Sequence, residues 1–237
     1  MSDDTSLVLL RERVAAASRR LGAAGLFIGT AGNVSARDGD RVAITATGAD
    51  LASAAPEDVS VVSLDGEILA GEWAPSSELE LHLGVYHAAQ FTSMTAVVHT
   101  HSPIATALST VIDELPVIHY QQLLLGGSLR VAPFATFGTA ALAEAVHDAL
   151  AGKLAALMAN HGAVTLGPTL DKAVENAELL EWLCELFWRA ASIGTPRTLN
   201  EAQQLGVVEH ALRISYGAKG AVAHENTESD SSRSATT

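Results

Sequence analysis

Cysteine is almost absent from this sequence: the 237 residues contain only Cys184, so no disulfide can form within the chain. Long apolar runs are absent too. No stretch approaches the roughly 18 consecutive apolar residues that a membrane-spanning helix needs. The short apolar segment near the first residue is acidic on its flank and too short for a signal peptide. Together these absences predict a cytoplasmic protein without a membrane span.

Basic charge is scarce. The chain has 14 Lys and Arg residues against 27 Asp and Glu residues, a formal net charge of −13. A nucleic-acid partner is therefore not expected, because such partners require a basic surface to neutralise phosphates. An anionic small substrate would have to be held locally, by backbone N–H groups and hydroxyls, against the field of the whole protein.

Hydrophobic residues make up 48% of the chain and charged residues only 17%, a composition that supports a large core. The length fits one domain. We predict a single α/β domain over residues 1–219. The polar residues 220–237 are predicted to form a disordered tail.

Apolar periodicity predicts the secondary structure. Helices are expected over residues 5–24, 76–90, 139–151 and 169–193. Strands are expected after the small-residue turn at 29–37, at 41–48, at 95–101, at 129–133 and on both sides of a turn at 160–162. Residues 59–71 are expected to form a hairpin with Asp65 and Gly66 at its turn.

Two histidines end a short apolar strand in the stretch "VVHTHS". His99 and His101 are two residues apart, so on an extended strand their side chains point to the same face. A third histidine, His161, lies in the predicted turn of "ANHG". Zinc commonly takes three protein ligands and one open position in catalytic sites. The spacing alone fits either a metal site or two polar residues that end an ordinary strand.

The stretch "PSSELELH" also has two interpretations. Ser76, Ser77 and Glu78 can be an ordinary helix start, because Ser and Glu favour those positions. They can equally form an anion site of hydroxyls and helix N–H groups beside a carboxylate. The remaining histidines have no such context and are predicted to be ordinary polar residues: His82, His87, His119, His147, His210 and His224.

Eight short stretches in this order resemble the class II aldolase/adducin family, and within it the L-fuculose-1-phosphate aldolase type. They are "GTAGNVSAR", "ITATG", "PSSE", "VVHTHS", "IHY", "PFATFGT", "ANHG" and "SYG". The resemblance implies a central, largely antiparallel sheet flanked by helices, in a homotetramer. It also implies a divalent metal, usually Zn²⁺ with Mn²⁺ or Co²⁺ as alternatives.

The resemblance assigns the site residues one by one. It implies His99, His101 and His161 as metal ligands, with Glu78 as a mobile fourth ligand and the catalytic acid/base. A phosphate cradle is implied at Asn33, Thr47, Gly48, Ser76 and Ser77. Tyr120, contributed by a neighbouring subunit, and Tyr216 are implied at the aldehyde end. One departure is Ala46, where the family usually has proline, and its loss is expected to loosen that loop.

The implied reaction is retro-aldol cleavage of a ketose 1-phosphate to dihydroxyacetone phosphate and an aldehyde, through a metal-stabilised enediolate. Other chemistry on the same scaffold stays open: 5-deoxyribulose phosphate aldolase, L-ribulose-5-phosphate 4-epimerase, methylthioribulose-1-phosphate dehydratase and sugar-acid-phosphate decarboxylase. The epimerases typically carry aspartate where this chain has Glu78, which favours an aldolase. An adducin-like binding module would not need the complete set of metal ligands.

Overall fold

A nine-stranded sheet forms the centre of the fold in residues 3–214, the part of the chain that the computed structural model describes. Its strands are β1 (Asn33–Asp38), β2 (Arg41–Thr45), β3 (Val59–Ser63), β4 (Ile68–Ala70), β5 (Ala96–Thr100), β6 (Glu114–Leu115), β7 (Leu129–Ala132), β8 (Ala155–Met158) and β9 (Gly162–Gly167). They lie in the order β4-β3-β2-β1-β5-β9-β8-β7-β6. Every neighbouring pair is antiparallel except β7 with β8. The predicted central, largely antiparallel sheet is confirmed.

The described helices are α1 (Asp3–Ala23), α2 (Leu79–His87), α3 (Pro103–Leu108), α4 (Ala140–Ala149), α5 (Leu170–Ile193) and α6 (Glu201–Arg213). Apolar residues form cores on both faces of the sheet. Val98 of β5 packs with residues of α1 and α5, whereas its neighbour Val97 packs with residues of α2 and α4. Successive strand residues point to opposite faces, so the result is a three-layer arrangement of helices, sheet and helices.

The four predicted helices are present, although the one predicted over 76–90 begins only at Leu79 and ends at His87. The hairpin is also confirmed, with its two strands joined across Asp65 and Gly66. Helices α3 and α6 and strand β6 were not predicted. A six-residue helix and a two-residue strand are too short to establish a period of their own.

Two units divide the chain, residues 1–200 and residues 201–237. The second unit contributes helix α6 to the described residues, with His210 and Arg213 in its last turn. The boundary at residue 219 and the tail predicted at 220–237 lie outside the described residues. No helix found between residues 3 and 214 is both long and apolar enough to cross a membrane.

Candidate metal centre and substrate cavity

Asn33 and His99 lie side by side at the centre of the sheet, paired across the antiparallel strands β1 and β5. Their strand neighbours Val34 and Val98 face the α1–α5 layer, so Asn33 and His99 point toward the α2–α4 layer. His99 is completely buried, and its Nδ1 lies 2.9 Å from the carbonyl oxygen of Ala163. Because a carbonyl oxygen can only accept, Nδ1 carries the proton and donates it, which leaves Nε2 to face the site.

The predicted turn around His161 has a distinct backbone. Asn160 has a φ of 55°, in the left-handed region that asparagine tolerates better than most residues. Gly162 starts β9 so close to β5 that an added Cβ would lie 2.2 Å from the carbonyl oxygen of Thr100. The turn and the close packing together place the His161 ring beside His99 of β5 and beside His101, which follows that strand.

The three histidines form one cluster, as the resemblance implied. The Nε2 atoms of His99 and His101 are 3.0 Å apart, and the three rings have centroid separations of 4.8 to 4.9 Å. Burial is the largest cause and the neighbouring histidines are the second cause that lower the pKa of His101 to about 4. The same two causes lower the pKa of His161. Neutral imidazoles are the form that binds metals, and this group could hold a metal ion.

Glu78 completes the cluster from the residue just before α2. Its Oε2 lies 3.2 Å from Nε2 of His99 and its Oε1 lies 3.5 Å from Nε2 of His161. Burial would raise the pKa of this carboxyl group, but its contact with His99, the hydrogen bond from Asn33 and the nearby His161 outweigh it, so the pKa lies well below its usual range.

Carboxylate oxygens and imidazole nitrogens that converge at these distances can share a cation. The buried Oε1 of Glu78 accepts no hydrogen bond from any residue between 3 and 214. An oxygen in this state, beside three imidazoles, fits a divalent metal ion. The residues present therefore suit the metal that the resemblance implied.

A cavity of about 930 Å³ opens above this cluster. Eight of the predicted site residues line it: Asn33, Thr47, Gly48, Ser76, Ser77, Glu78, His101 and His161. None of the described lining residues is Lys or Arg. An anion bound in the cavity would thus meet hydroxyls, amides and backbone N–H groups, as the acidic composition led us to expect.

Two hydrogen bonds tie down the loop that carries Thr47. The N–H of Ala46 donates to the carbonyl oxygen of Asp58 at 2.8 Å, and the N–H of Thr47 donates to that of Ala74 at 3.0 Å. A proline at position 46 has no N–H and could not make the first of these bonds. A proline at this position would pre-set the φ angle, whereas Ala46 instead makes a hydrogen bond that proline cannot make.

Of the two predicted tyrosines, Tyr120 lies outside the cavity of its own chain. Tyr120 begins the 3₁₀ helix Tyr120–Leu125, is 46% exposed and packs its ring against that of His119 at a centroid distance of 4.5 Å. It is not among the residues that line the cavity. Tyr216 lies outside the described residues.

Sequence reasoning overlooked three residues near the site. His82 was predicted to be an ordinary polar residue, yet it is completely buried and hydrogen-bonded to Asn33. Its position four residues after Glu78, on the same side of a helix, was the available signal. Phe134 and Phe137 line the cavity; the stretch "PFATFGT" contained them, but they received no role.

Residues 12–188 match the family described as Class II Aldolase and Adducin N-terminal domain. The chain is 37% identical over 193 residues to the 5-deoxy-D-ribulose 1-phosphate aldolase of Bacillus thuringiensis serovar kurstaki, covering 81% of this chain and 90% of that one. It is 37% identical over 205 residues to the 5-methylthioribulose-1-phosphate/5-deoxyribulose-1-phosphate aldolase of Rhodospirillum rubrum, covering 86% and 91%. A solved structure of an L-fuculose 1-phosphate aldolase superimposes with a TM-score of 0.80 at 30% identity, covering 89% of this chain and 97% of that one.

Proposed function

The chain belongs to the class II aldolase and adducin family and is a metal-dependent aldehyde-lyase, and we propose that it cleaves a ketose 1-phosphate to dihydroxyacetone phosphate and an aldehyde. The observation that carries the proposal is the group of His99, His101, His161 and Glu78 beside a cavity lined with hydroxyls. Such a site can hold a cation at one end of a substrate and a phosphate at the other.

His99, His101 and His161 would hold the metal ion, for which we propose Zn²⁺, with Mn²⁺ or Co²⁺ as alternatives. When bound, the ion supplies positive charge that stabilises the enediolate left after the C–C bond breaks. Three neutral histidines suit this role because they leave most of the charge of the ion uncancelled.

Glu78 is proposed as the acid/base. In the cleavage direction it delivers a proton to the enediolate carbon, and in the synthetic direction it removes that proton. The short distances from its two oxygens to His99 and His161 support this role. A carboxylate at these distances would lie beside the position that we propose for the carbonyl end of the substrate.

Tyr120 is proposed to exchange a proton with the oxygen that becomes the aldehyde, and Tyr216 to act at the same end. The exposed position of Tyr120, outside the cavity of its own chain, supports a role in the cavity of a neighbouring subunit. We therefore propose a homotetramer with sites at subunit interfaces. A cytoplasmic location stays a prediction from the composition.

Thr47, Gly48, Ser76 and Ser77 are proposed to bind the phosphate, with Asn33 at its inner end. Gly48 has a φ of 73°, a conformation that turns backbone N–H groups toward an anion at little steric cost. Hydroxyls and N–H groups form strong, short hydrogen bonds to a charged acceptor. They can hold a dianion without a basic side chain.

The aldehyde end is proposed to be apolar. The exposed rings of Phe134 and Phe137 line the cavity, and a sugar whose last carbon is a methyl group would bury it against them. 5-Deoxyribulose 1-phosphate has such an end, and two of the relatives are named for its cleavage. L-fuculose 1-phosphate also ends in a methyl group, so we rank 5-deoxyribulose 1-phosphate ahead of it only because of the names of these two relatives.

The test is a panel of ketose phosphates with a coupled assay for dihydroxyacetone phosphate, run on zinc-loaded wild-type protein and on Glu78→Gln as control. Release of dihydroxyacetone phosphate by the wild type and not by the variant supports the proposal. Three outcomes would contradict it: inversion of L-ribulose 5-phosphate without cleavage, loss of water from methylthioribulose 1-phosphate, or release of CO₂ from a sugar-acid phosphate. Protein that binds no divalent ion and turns over no substrate would be a binding module instead.

A further inference from the structure

A chain of buried polar side chains leads from the interior of the protein to Glu78. Its members are Tyr86, Ser35, His82, Asn33 and Glu78. The Tyr86 hydroxyl lies 2.6 Å from Oγ of Ser35, which lies 2.6 Å from Nδ1 of His82. Nε2 of His82 lies 2.5 Å from Oδ1 of Asn33, whose Nδ2 donates to Oε2 of Glu78 at 2.9 Å. All five side chains are buried.

The regular periods of two elements bring these groups together. His82 and Tyr86 lie one helical turn apart on α2, and Glu78, just before the first residue of α2, precedes His82 by one turn. Asn33 and Ser35 are two residues apart on β1 and face the same layer as α2. A spacing of four on a helix and of two on a strand places the five groups in one row.

Complete burial keeps His82 neutral, and with a neutral imidazole only one set of proton positions satisfies every contact in this row. Asn33 must point Nδ2 at Glu78, because two oxygens at 2.9 Å would repel, so Oδ1 faces His82 and accepts from Nε2–H. Nδ1 of His82 then has no proton and accepts from the Ser35 hydroxyl. Ser35, having donated its one proton, accepts from Tyr86. The hydrogen bonds therefore all run in one direction around a neutral His82.

The two carboxylate oxygens of Glu78, at the end of this row of side chains, have different surroundings. Oε2 is held by the amide of Asn33, whereas Oε1 accepts no hydrogen bond within the described part of the protein. A rotated Asn33 amide would instead present its oxygen to Oε2 and push the carboxylate away. The position of Glu78 thus depends on which way the Asn33 amide points.

We propose that His82 is a positioning residue: its Nε2–H fixes the amide of Asn33, and that amide orients Glu78 with Oε1 free toward the histidine cluster. His82 touches neither the cluster nor the cavity, so it acts only through Asn33. The alternative is that His82 merely fills the space between α2 and the sheet. The effect on turnover rests on the proposed function, whereas the effect on the position of Glu78 does not.

The test compares His82→Gln with His82→Asn in the zinc-loaded protein. A glutamine amide can reach the position of Nε2 and donate to Asn33, whereas the shorter asparagine amide reaches only the position of Nδ1. His147→Gln is the matched control. His147 also contacts α2, through the carbonyl oxygen of Leu81, but it is not one of the five side chains in the row.

We expect crystal structures to show Glu78 displaced in His82→Asn only. In that variant kcat should fall about 10- to 100-fold with KM changed less than about threefold, while His82→Gln and His147→Gln stay within about threefold of wild type. Zinc content should be the same in all four proteins. An unmoved Glu78 in His82→Asn overturns the proposal, whatever happens to kcat.

Ser35→Ala keeps the proposal testable if neither His82 variant folds, because it removes one hydroxyl and no large side chain. Without the Ser35 proton donor, His82 can place its proton on Nδ1 and release the Asn33 amide. We expect a displaced Glu78 and a kcat lowered about fivefold. An unmoved Glu78 there would also overturn the proposal. If wild-type protein cleaves no ketose phosphate, the proposed function fails, and the position of Glu78 still decides the role of His82.

Discussion

The inner and outer parts of the cavity differ in how their polar groups are held. At the inner end, Asn33, Glu78 and His99 are buried, and each side chain is tied by hydrogen bonds or close contacts to groups on the sheet or on α2. At the outer end, Thr47, Ser77 and the phenylalanine rings are exposed on connecting segments.

This difference separates two tasks. Groups that bind a metal and move a proton must be held in place before the substrate arrives, because reorganisation during the reaction raises the barrier. Groups that hold a phosphate and an aldehyde tail can complete their contacts on binding. The outer end can also accept residues from a neighbouring subunit, as we propose for Tyr120.

The largest effect is expected when the inner end loses its metal. His99→Ala removes a buried side chain that we propose as a metal ligand and whose orientation is set by Ala163. Turnover should fall on the order of 10⁴-fold, because the proposed charge on the enediolate would no longer be stabilised. Elemental analysis should find little zinc in the variant, with near-UV circular dichroism as the check on folding. Undiminished zinc content would count against the site.

Replacing Glu78, the proposed acid/base, should separate metal binding from proton transfer. Glu78→Gln keeps the size of the side chain and its bond with Asn33, but cannot exchange the proton, so we expect kcat to fall about 10³-fold while zinc content stays unchanged. Steady-state kinetics and elemental analysis on the same preparation measure both. Full activity in this variant would remove Glu78 from the mechanism.

The buried inner end should also make stability depend on pH. Burial lowers the pKa of His82 to about 3 from an ordinary 6.5, so His82 stays neutral in the folded protein. Below pH 6.5 the unfolded chain binds a proton that the folded chain does not, so the free energy of unfolding decreases as the pH falls from about 6.5 toward 3.

Through His82 alone, the free energy of unfolding should decrease by about 3 kcal/mol between pH 8 and pH 4. Urea unfolding of metal-free wild-type protein and of His82→Gln at each pH isolates it, because the other titrating groups are common to both. The stability difference between the two proteins should shrink, or reverse, as the pH falls. A difference that does not change with pH would mean that His82 is not held neutral.

The smallest effect is expected at the outer end. Thr47→Ala removes one hydroxyl that faces the cavity, and KM for a ketose 1-phosphate should rise about tenfold with kcat nearly unchanged, as for one lost hydrogen bond to a charged group. Inorganic phosphate should inhibit the variant correspondingly less. A fall in kcat with unchanged KM would instead place Thr47 with the inner, catalytic groups.

Much of this site could be predicted from short motifs. His99 and His101 share a face because a strand has a period of two, and His161 lies in a turn that Asn160 and Gly162 demand. Ala46 shows the opposite case. The absence of proline at this position indicates a looser loop, but the Ala46 N–H donates to the carbonyl oxygen of Asp58, a partner that the local sequence cannot reveal. The short helix α3 was missed for a different reason: its six residues have no clear period.

The sequence by itself determined the chemistry of the site, since residue types and their local spacing decide which groups can bind a metal, cap a helix or move a proton. Only the tertiary structure decided which of those groups meet. The pairing of β1 with β5 placed Asn33 beside His99, and the packing of α2 on that face brought His82 and Glu78 to the same amide. These contacts join residues up to 66 positions apart in the chain, and such long-range contacts come from strand register and core packing rather than from any local pattern.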